Sequence, residues 1–178
     1  AHTEADYDTA CEAFRRGARQ VTHLYNALPP LHHRAGGAVC AALLSPDISC
    51  ELICDGFHIA PEMVRLAATL KRERLVLITD SMEATGCPDG EYRIAGMPVT
   101  VKDGKARTHD GAIAGSTLSL LDGVRNYAAF AGVSFGTAVY AATMAPAIEV
   151  GLAHEIGSLE PGKRADLVVL DADLAGAT

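Results

Sequence analysis

Apolar positions along the chain follow two different periods. Tyr7, Ala10, Cys11 and Phe14 recur at i, i+3, i+4 and i+7, which predicts a helix capped by Thr3 and closed by Gly17. Residues 20–23 predict the end of a strand. The loop at 26–37 is rich in proline, histidine and glycine. It exceeds the ~4–6 residue median for compact domains and is therefore a candidate functional loop. Residues 38–44 form an apolar run, and 48–54 read as a buried strand. Pro61 suits the first turn of a helix carrying Met63, Leu66, Ala67 and Leu70. Residues 75–79 are apolar without alternation, the pattern of a parallel strand covered on both faces.

The rhythm changes after Asp80. Residues 81–90 read as loop, and 92–108 as one or two hairpins around the turn Asp103-Gly104, an insertion spanning about 91–108. Ser116 is predicted to cap a helix with Leu120, Leu121, Val124, Tyr127 and Ala128 on one face, ending near Gly132. Ser134 is predicted to cap another through about Met144, with Pro146 disturbing the helical pattern beyond it. A turn-rich link at 157–162 leads to an expected strand at 165–170. Alternating strands and helices with uniformly apolar strands imply an α/β fold with a parallel sheet, either doubly wound or closed as a (β/α)8 barrel. No G-x-G-x-x-G or G-x-x-x-x-G-K-[ST] stretch comes after a strand, which weakens the nucleotide-binding open sheet.

Composition narrows the partners more than the fold. The 178 residues are 49 % hydrophobic and 21 % charged, an ordinary globular balance. A net charge of −7 removes the broad basic surface of non-specific nucleic-acid binding. No apolar run approaches the ~18 residues of a membrane span, so no membrane partner is expected. The opening residues have neither the basic region nor the apolar core of a signal peptide. Five cysteines, at Cys11, Cys40, Cys50, Cys54 and Cys87, include no C-x-x-C pair. Reduced thiols in a cytoplasmic protein are the expectation.

The chemistry lies at the strand exits. Val21-Thr22 leads into His23, Leu52-Ile53-Cys54 into Asp55-Gly56-Phe57-His58, and Leu77-Ile78-Thr79 into Asp80. Barrel enzymes assemble their sites from such C-terminal strand ends. His2 precedes His23 by 21 residues and His58 precedes Asp80 by 22 (23 − 2 and 80 − 58), each gap being one strand-loop-helix unit. Imidazoles on neighbouring strands suit a shared divalent metal. Duller readings stand beside these: a frayed His2, a core His23, a turn at His58, a cap at Asp80. His32, His33, His109 and His154 fall outside the pattern and read as solvated. Two metal-ligating histidines with a third histidine and a carboxylate suit metal-assisted hydrolysis. Asp80 would move the proton of water to a leaving nitrogen, and His58 would donate to the developing oxyanion. Arg34, in the long loop, is the cation best placed to hold an anionic substrate, with a solvated arginine as the duller reading.

In these segments the chain resembles the N-acetylglucosamine-6-phosphate deacetylases of the amidohydrolase superfamily. The matching stretches are Ala1-His2-Thr3, Thr22-His23-Leu24-Tyr25-Asn26-Ala27-Leu28, His32-His33-Arg34, Asp55-Gly56-Phe57-His58 and Leu77-Ile78-Thr79-Asp80-Ser81-Met82. Gly115-Ser116, Gly123-Val124-Arg125-Asn126 and the run from Gly157 through Val169 continue the match in family order. The resemblance implies that His2 and His23 ligate a divalent metal, with zinc foremost and iron, manganese or cobalt as alternatives. It implies that Asp80 is the catalytic acid/base and that His58 polarises the acetyl carbonyl. Asn26 and Ala27 would contact the sugar, Arg34 the 6-phosphate, and Ile113, Ala114 and Gly115 would line the substrate. A homodimer is implied, since that arginine can serve a neighbouring subunit. Leu28 and Ala35-Gly36 depart from the usual residues in the loops.

The resemblance also implies that the first barrel strands, and a glutamate completing the metal site, would precede Ala1. A barrel takes ~250 residues, and 178 fall short of it. Residues 1–155 are accordingly expected to form the C-terminal portion of a (β/α)8 barrel, and 156–178 the return segment of a small β domain. Two other functions stay open. One is a different amidohydrolase, acting on a cyclic amide or another N-acyl group; the other is a catalytically silent folded fragment.

Overall fold

The computed structural model describes residues 2–171. The first segment is helix α1, Tyr7–Arg15. Its cap is Asp6, whose carboxylate accepts the Thr9 N–H at 2.8 Å, and not Thr3 as the spacing predicts. Thr3 instead uses its hydroxyl on the Ala5 N–H, one turn too early to start the helix. Strand β1 is only Gln20–Val21. The apolar run after the long loop is a helix, α2, Gly37–Leu44, packed against α1. Strand β2, Ser49–Ile53, helix α3, Pro61–Lys71, and strand β3, Leu75–Ile78, complete a β-α-β-α-β unit.

The three strands pair in parallel in the order β1-β2-β3, with Val21 opposite Cys50 and Ile53 opposite Ile78. Parallel neighbours need a crossover, and α2 and α3 supply it. Side chains alternate across β2, so Cys50, Leu52 and Cys54 enter the core with Val39, Val64, Leu75, Leu77 and Tyr127. Three adjacent strands running the same way bring His23, Asp55 to His58, and Asp80 to one edge of the sheet.

The expected hairpins form a three-stranded antiparallel meander, β4 (Gly90–Ile94), β5 (Met97–Lys102) and β6 (Lys105–Thr108). Both turns, Ala95-Gly96 and Asp103-Gly104, have positive φ at each residue, the hairpin geometry that matches strand twist. The meander has its own small core of Met82, Ala84, Val99, Val101, Ala106 and Ala114. Met82 and Ala84 belong to the loop leaving Asp80, so the meander is anchored on the exit of β3.

Helix α4, Leu120–Ala131, is capped by Ser119 and closed by Gly132; the expected cap Ser116 is otherwise engaged. Ser116 is buried and bridges in parallel to Ser81, with its hydroxyl on the Leu118 N–H at 2.8 Å. Helix α5, Phe135–Ala142, is capped by Ser134 as predicted and stops at Thr143, where α6, Met144–Glu149, begins. Pro146 sits near the start of α6, where its missing N–H costs little. Residues 165–169 form no strand, and Leu167, Val168 and Val169 are exposed. Only Leu170 of the expected strand makes a β-bridge, and a run of apolar residues does not by itself make a strand. Ala1 and positions 172–178 of the expected return segment lie outside the described residues.

Candidate active site

His23, His58 and Asp80 each follow a strand exit, and the backbone around these exits is unusual. His23, Tyr25, Ala27 and Asp80 all have positive φ, between 35° and 77°. Such conformations cost of order 1–3 kcal/mol each and persist only where the surroundings enforce them. Here the enforcement is visible. Glu51, on β2, accepts the His23 N–H at 3.3 Å and the Gln20 side-chain amide at 2.8 Å. The Leu24 N–H is held by the Glu51 carbonyl at 2.8 Å, and Leu24 itself is fully buried. Asn26 donates from its amide to the carbonyls of His23 and Leu24, folding the loop back on the strand end. The Ala27 carbonyl accepts the Thr3 N–H at 3.4 Å, which brings the opening residues beside this turn.

His2 and His23 are thereby brought together, with ring centroids 5.1 Å apart. His23 is buried, and its Nδ1 has no hydrogen-bond partner. A buried imidazole nitrogen left unpaired is uncommon and fits a divalent ion accepting its lone pair. Two imidazoles suit two positions of a nitrogen-preferring divalent centre. Among the described residues no group of three histidine, cysteine, aspartate or glutamate side chains completes it.

His58 lies on the next strand exit and is held from one side. Asp55 accepts the backbone N–H groups of Phe57 and His58 through Oδ1, both at 2.8 Å, and Oδ2 lies 2.6 Å from His58 Nδ1. Burial pushes the Asp55 carboxyl up, but the hydrogen bonds from the His58 ring and the two backbone N–H groups outweigh it and hold it below the usual value. The strand end is also tied to α4, where the Asn126 amide donates to the Cys54 carbonyl at 2.8 Å. Phe57 sits edge-on to His58, and Lys105 and Arg107 of β6 lie 5.3 and 4.9 Å from its ring centre.

Asp80 is exposed, and its carboxylate hydrogen-bonds no described residue. Its carbonyl accepts the Ser116 N–H at 2.8 Å, which places Ala114 and Gly115 directly behind it. Gly115 needs its lack of a side chain: φ is 64°, and a Cβ would lie 3.3 Å from the Asp80 carbonyl oxygen. Ile113 is exposed and bridges to Arg107, whereas Ala114 is buried in the meander core. Arg34 stands apart on the exposed loop, its guanidinium 2.6 Å from His33 Nε2 and without a carboxylate partner among the described residues. Sequence reasoning passed over Asp55, Glu51 and the meander cations. For Asp55 the signal was present, because aspartate two and three residues before an N–H commonly turns the chain with its own side chain. For Glu51 there was none, since its partner lies 28 residues away.

The amidohydrolase family model matches residues 1–178. An N-acetylglucosamine-6-phosphate deacetylase from Vibrio furnissii is 41 % identical over 98 % of this chain and 44 % of its own length. An N-acetylgalactosamine-6-phosphate deacetylase from Escherichia coli O157:H7 is 42 % identical over 97 % of this chain and 46 % of its own. A solved structure matches with a TM-score of 0.92 and 40 % identity, covering 98 % of this chain and 47 % of its own: a variant N-acetyl-D-glucosamine-6-phosphate deacetylase from Mycobacterium smegmatis in complex with N-acetyl-D-glucosamine-6-phosphate. The chain belongs to the amidohydrolase family. It spans a little under half the length of these relatives.

Proposed function

We propose that this chain carries the catalytic portion of a metal-dependent deacetylase that hydrolyses N-acetylglucosamine 6-phosphate to glucosamine 6-phosphate and acetate. The observation that carries this reading is His23, buried at a strand exit with an unpaired Nδ1 and the ring of His2 5.1 Å away. His2 and His23 would hold the divalent ion, zinc foremost, as part of a (β/α)8 barrel whose small β domain takes up the chain from 156 onward. Such an ion, when bound, polarises an amide carbonyl and lowers the pKa of water towards ~7. Asp80, exposed and with a carboxylate unpaired among the described residues, takes the proton of the attacking water and delivers it to the leaving amine. His58 stabilises the charge that develops on the acetyl oxygen. Asn26 and Ala27 would contact the sugar, and Ile113 to Gly115 would line its far side. Arg34, without an acidic partner among the described residues, binds the phosphate, in a homodimer serving the neighbouring site.

Acetate release by the purified, zinc-loaded chain tests the reaction directly. Turnover with about one zinc per chain supports it; no bound zinc and no acetate at saturating metal would sink it and leave a silent fold. Both the gluco and galacto epimers belong in the assay, since relatives named for each are equally similar. Arg34→Ala is expected to raise KM for the phosphorylated sugar by roughly 10- to 100-fold, the worth of a charged hydrogen bond. An unchanged KM would favour an amidohydrolase of cyclic amides or other N-acyl groups.

A further inference from the structure

Asp55 makes more contacts than a loop turn requires. An aspartate that only bends the chain needs one oxygen on the next N–H groups, and Oδ1 already accepts both Phe57 and His58. Oδ2 is left over, and it is the closer contact, 2.6 Å from His58 Nδ1. The His58 ring is only 5 % exposed and the Asp55 side chain 15 %, so water does not compete freely for either group. His58 Nε2 makes no hydrogen bond with any described residue, which leaves it as the open polar atom of the ring.

An ionised carboxylate only accepts hydrogen bonds, so the atom facing Oδ2 must carry the proton. We infer that Asp55 is a positioning residue for the proposed deacetylation: it pins a proton on His58 Nδ1, fixes the plane of the ring and reserves Nε2 for the substrate. The inference rests on the proposed role of His58 and adds the group that sets its tautomer. With Nδ1–H committed, the proton that Nε2 donates to an acetyl oxygen is the second proton on the ring, and the carboxylate beside it balances that charge. Nε2 can then take up and give out this proton with no rotation of the ring. Phe57 packs edge-on against the ring, but without Asp55 no hydrogen bond from a described residue fixes which nitrogen carries the proton.

The tautomer is read by the nitrogen shifts and long-range couplings of histidine in the ¹⁵N-labelled full chain, above the pH range in which imidazoles titrate. In the native protein His58 is expected with Nδ1 protonated and Nε2 bare. Asp55→Asn should reverse it. The amide oxygen would keep the two backbone N–H groups and turn the NH2 toward Nδ1, which must then accept, driving the proton to Nε2. Backbone amide shifts of Phe57 and His58 show whether the loop has kept its turn. A bare Nδ1 in the native protein overturns the inference, as does an unchanged tautomer in a folded Asp55→Asn protein. Should the variant fail to fold, the native spectrum decides alone. The measurement needs neither metal nor substrate, so it separates cleanly from the acetate assay: a wrong tautomer removes the role of Asp55, and absent acetate removes the reaction.

Discussion

At the scale of single residues, the candidate site depends on small groups that hold larger ones. Gly115 is the plainest case, with φ of 64° and the Asp80 carbonyl and Met82 Cβ both 3.3 Å from where a side chain would begin. Gly115→Ala is expected to cost about 1–2 kcal/mol from the left-handed backbone alone. A chain of this size should then lose roughly 2–4 °C of Tm per kcal/mol in calorimetry; an unchanged Tm would mean that the turn at Gly115 relaxes out of the left-handed conformation at no cost. Asp55 makes a pH-dependent contribution whose sign is set by its depressed folded pKa. That stability is present above the unfolded value, near 3.8, and is lost as pH falls through the lower folded value. The urea midpoint of the native chain should therefore fall more steeply below pH ~4 than that of Asp55→Asn. Parallel curves would show that the three hydrogen bonds add nothing to folding.

At the scale of elements, β2 is the axis of the molecule, and its two faces do different things. Cys50 and Cys54 point into the helix-covered core, where burial pushes their thiols up to about 11 and about 12. Glu51, on the opposite face, shapes the His23 turn. Both thiols stay protonated at neutral pH and should not react with a disulfide reagent until the chain unfolds. Cys87, exposed in the loop after Asp80, should react first, and half-buried Cys11 and Cys40 more slowly. Counting thiols labelled against time checks this; rapid labelling of all five would contradict the packing of β2. Because a raised folded pKa favours the native state only while the unfolded thiol is still protonated, stability should also decline above pH ~9. The elements themselves were largely legible. Pro61, Ser134, Gly132 and Asp103-Gly104 announce their helix starts, stop and turn by local chemistry that needs no partner. Thr3 and Ser116 misled for a common reason. Several residues near a helix start carry an oxygen, and tertiary contacts choose among them.

At the scale of the whole molecule, the site is an edge of three parallel strands to which the opening residues and the meander are added. Zinc that binds the folded site should raise Tm by mass action, ~2.7 kcal/mol of stability at a hundredfold excess over Kd. His23→Ala should abolish that rise while His32→Ala preserves it, since His32 and His33 stack in the exposed loop, 4.3 Å apart, away from the β1 exit. The reverse result in a thermal shift titration would move the metal to the loop. The sequence by itself determined the alternation of strand and helix, the residues at each strand exit and the family, because periodicity, caps and motifs are local properties of a chain. It did not determine that His2 lies against His23, that Glu51 underwrites the turn at β1, or that Lys105 and Arg107 stack on Phe57. Nor could spacing decide that residues 165–169, apolar enough for a strand, form none. Those are contacts between segments 20 to 50 residues apart, and a chain acquires them only when β1, β2 and β3 align in register and the meander closes over their ends.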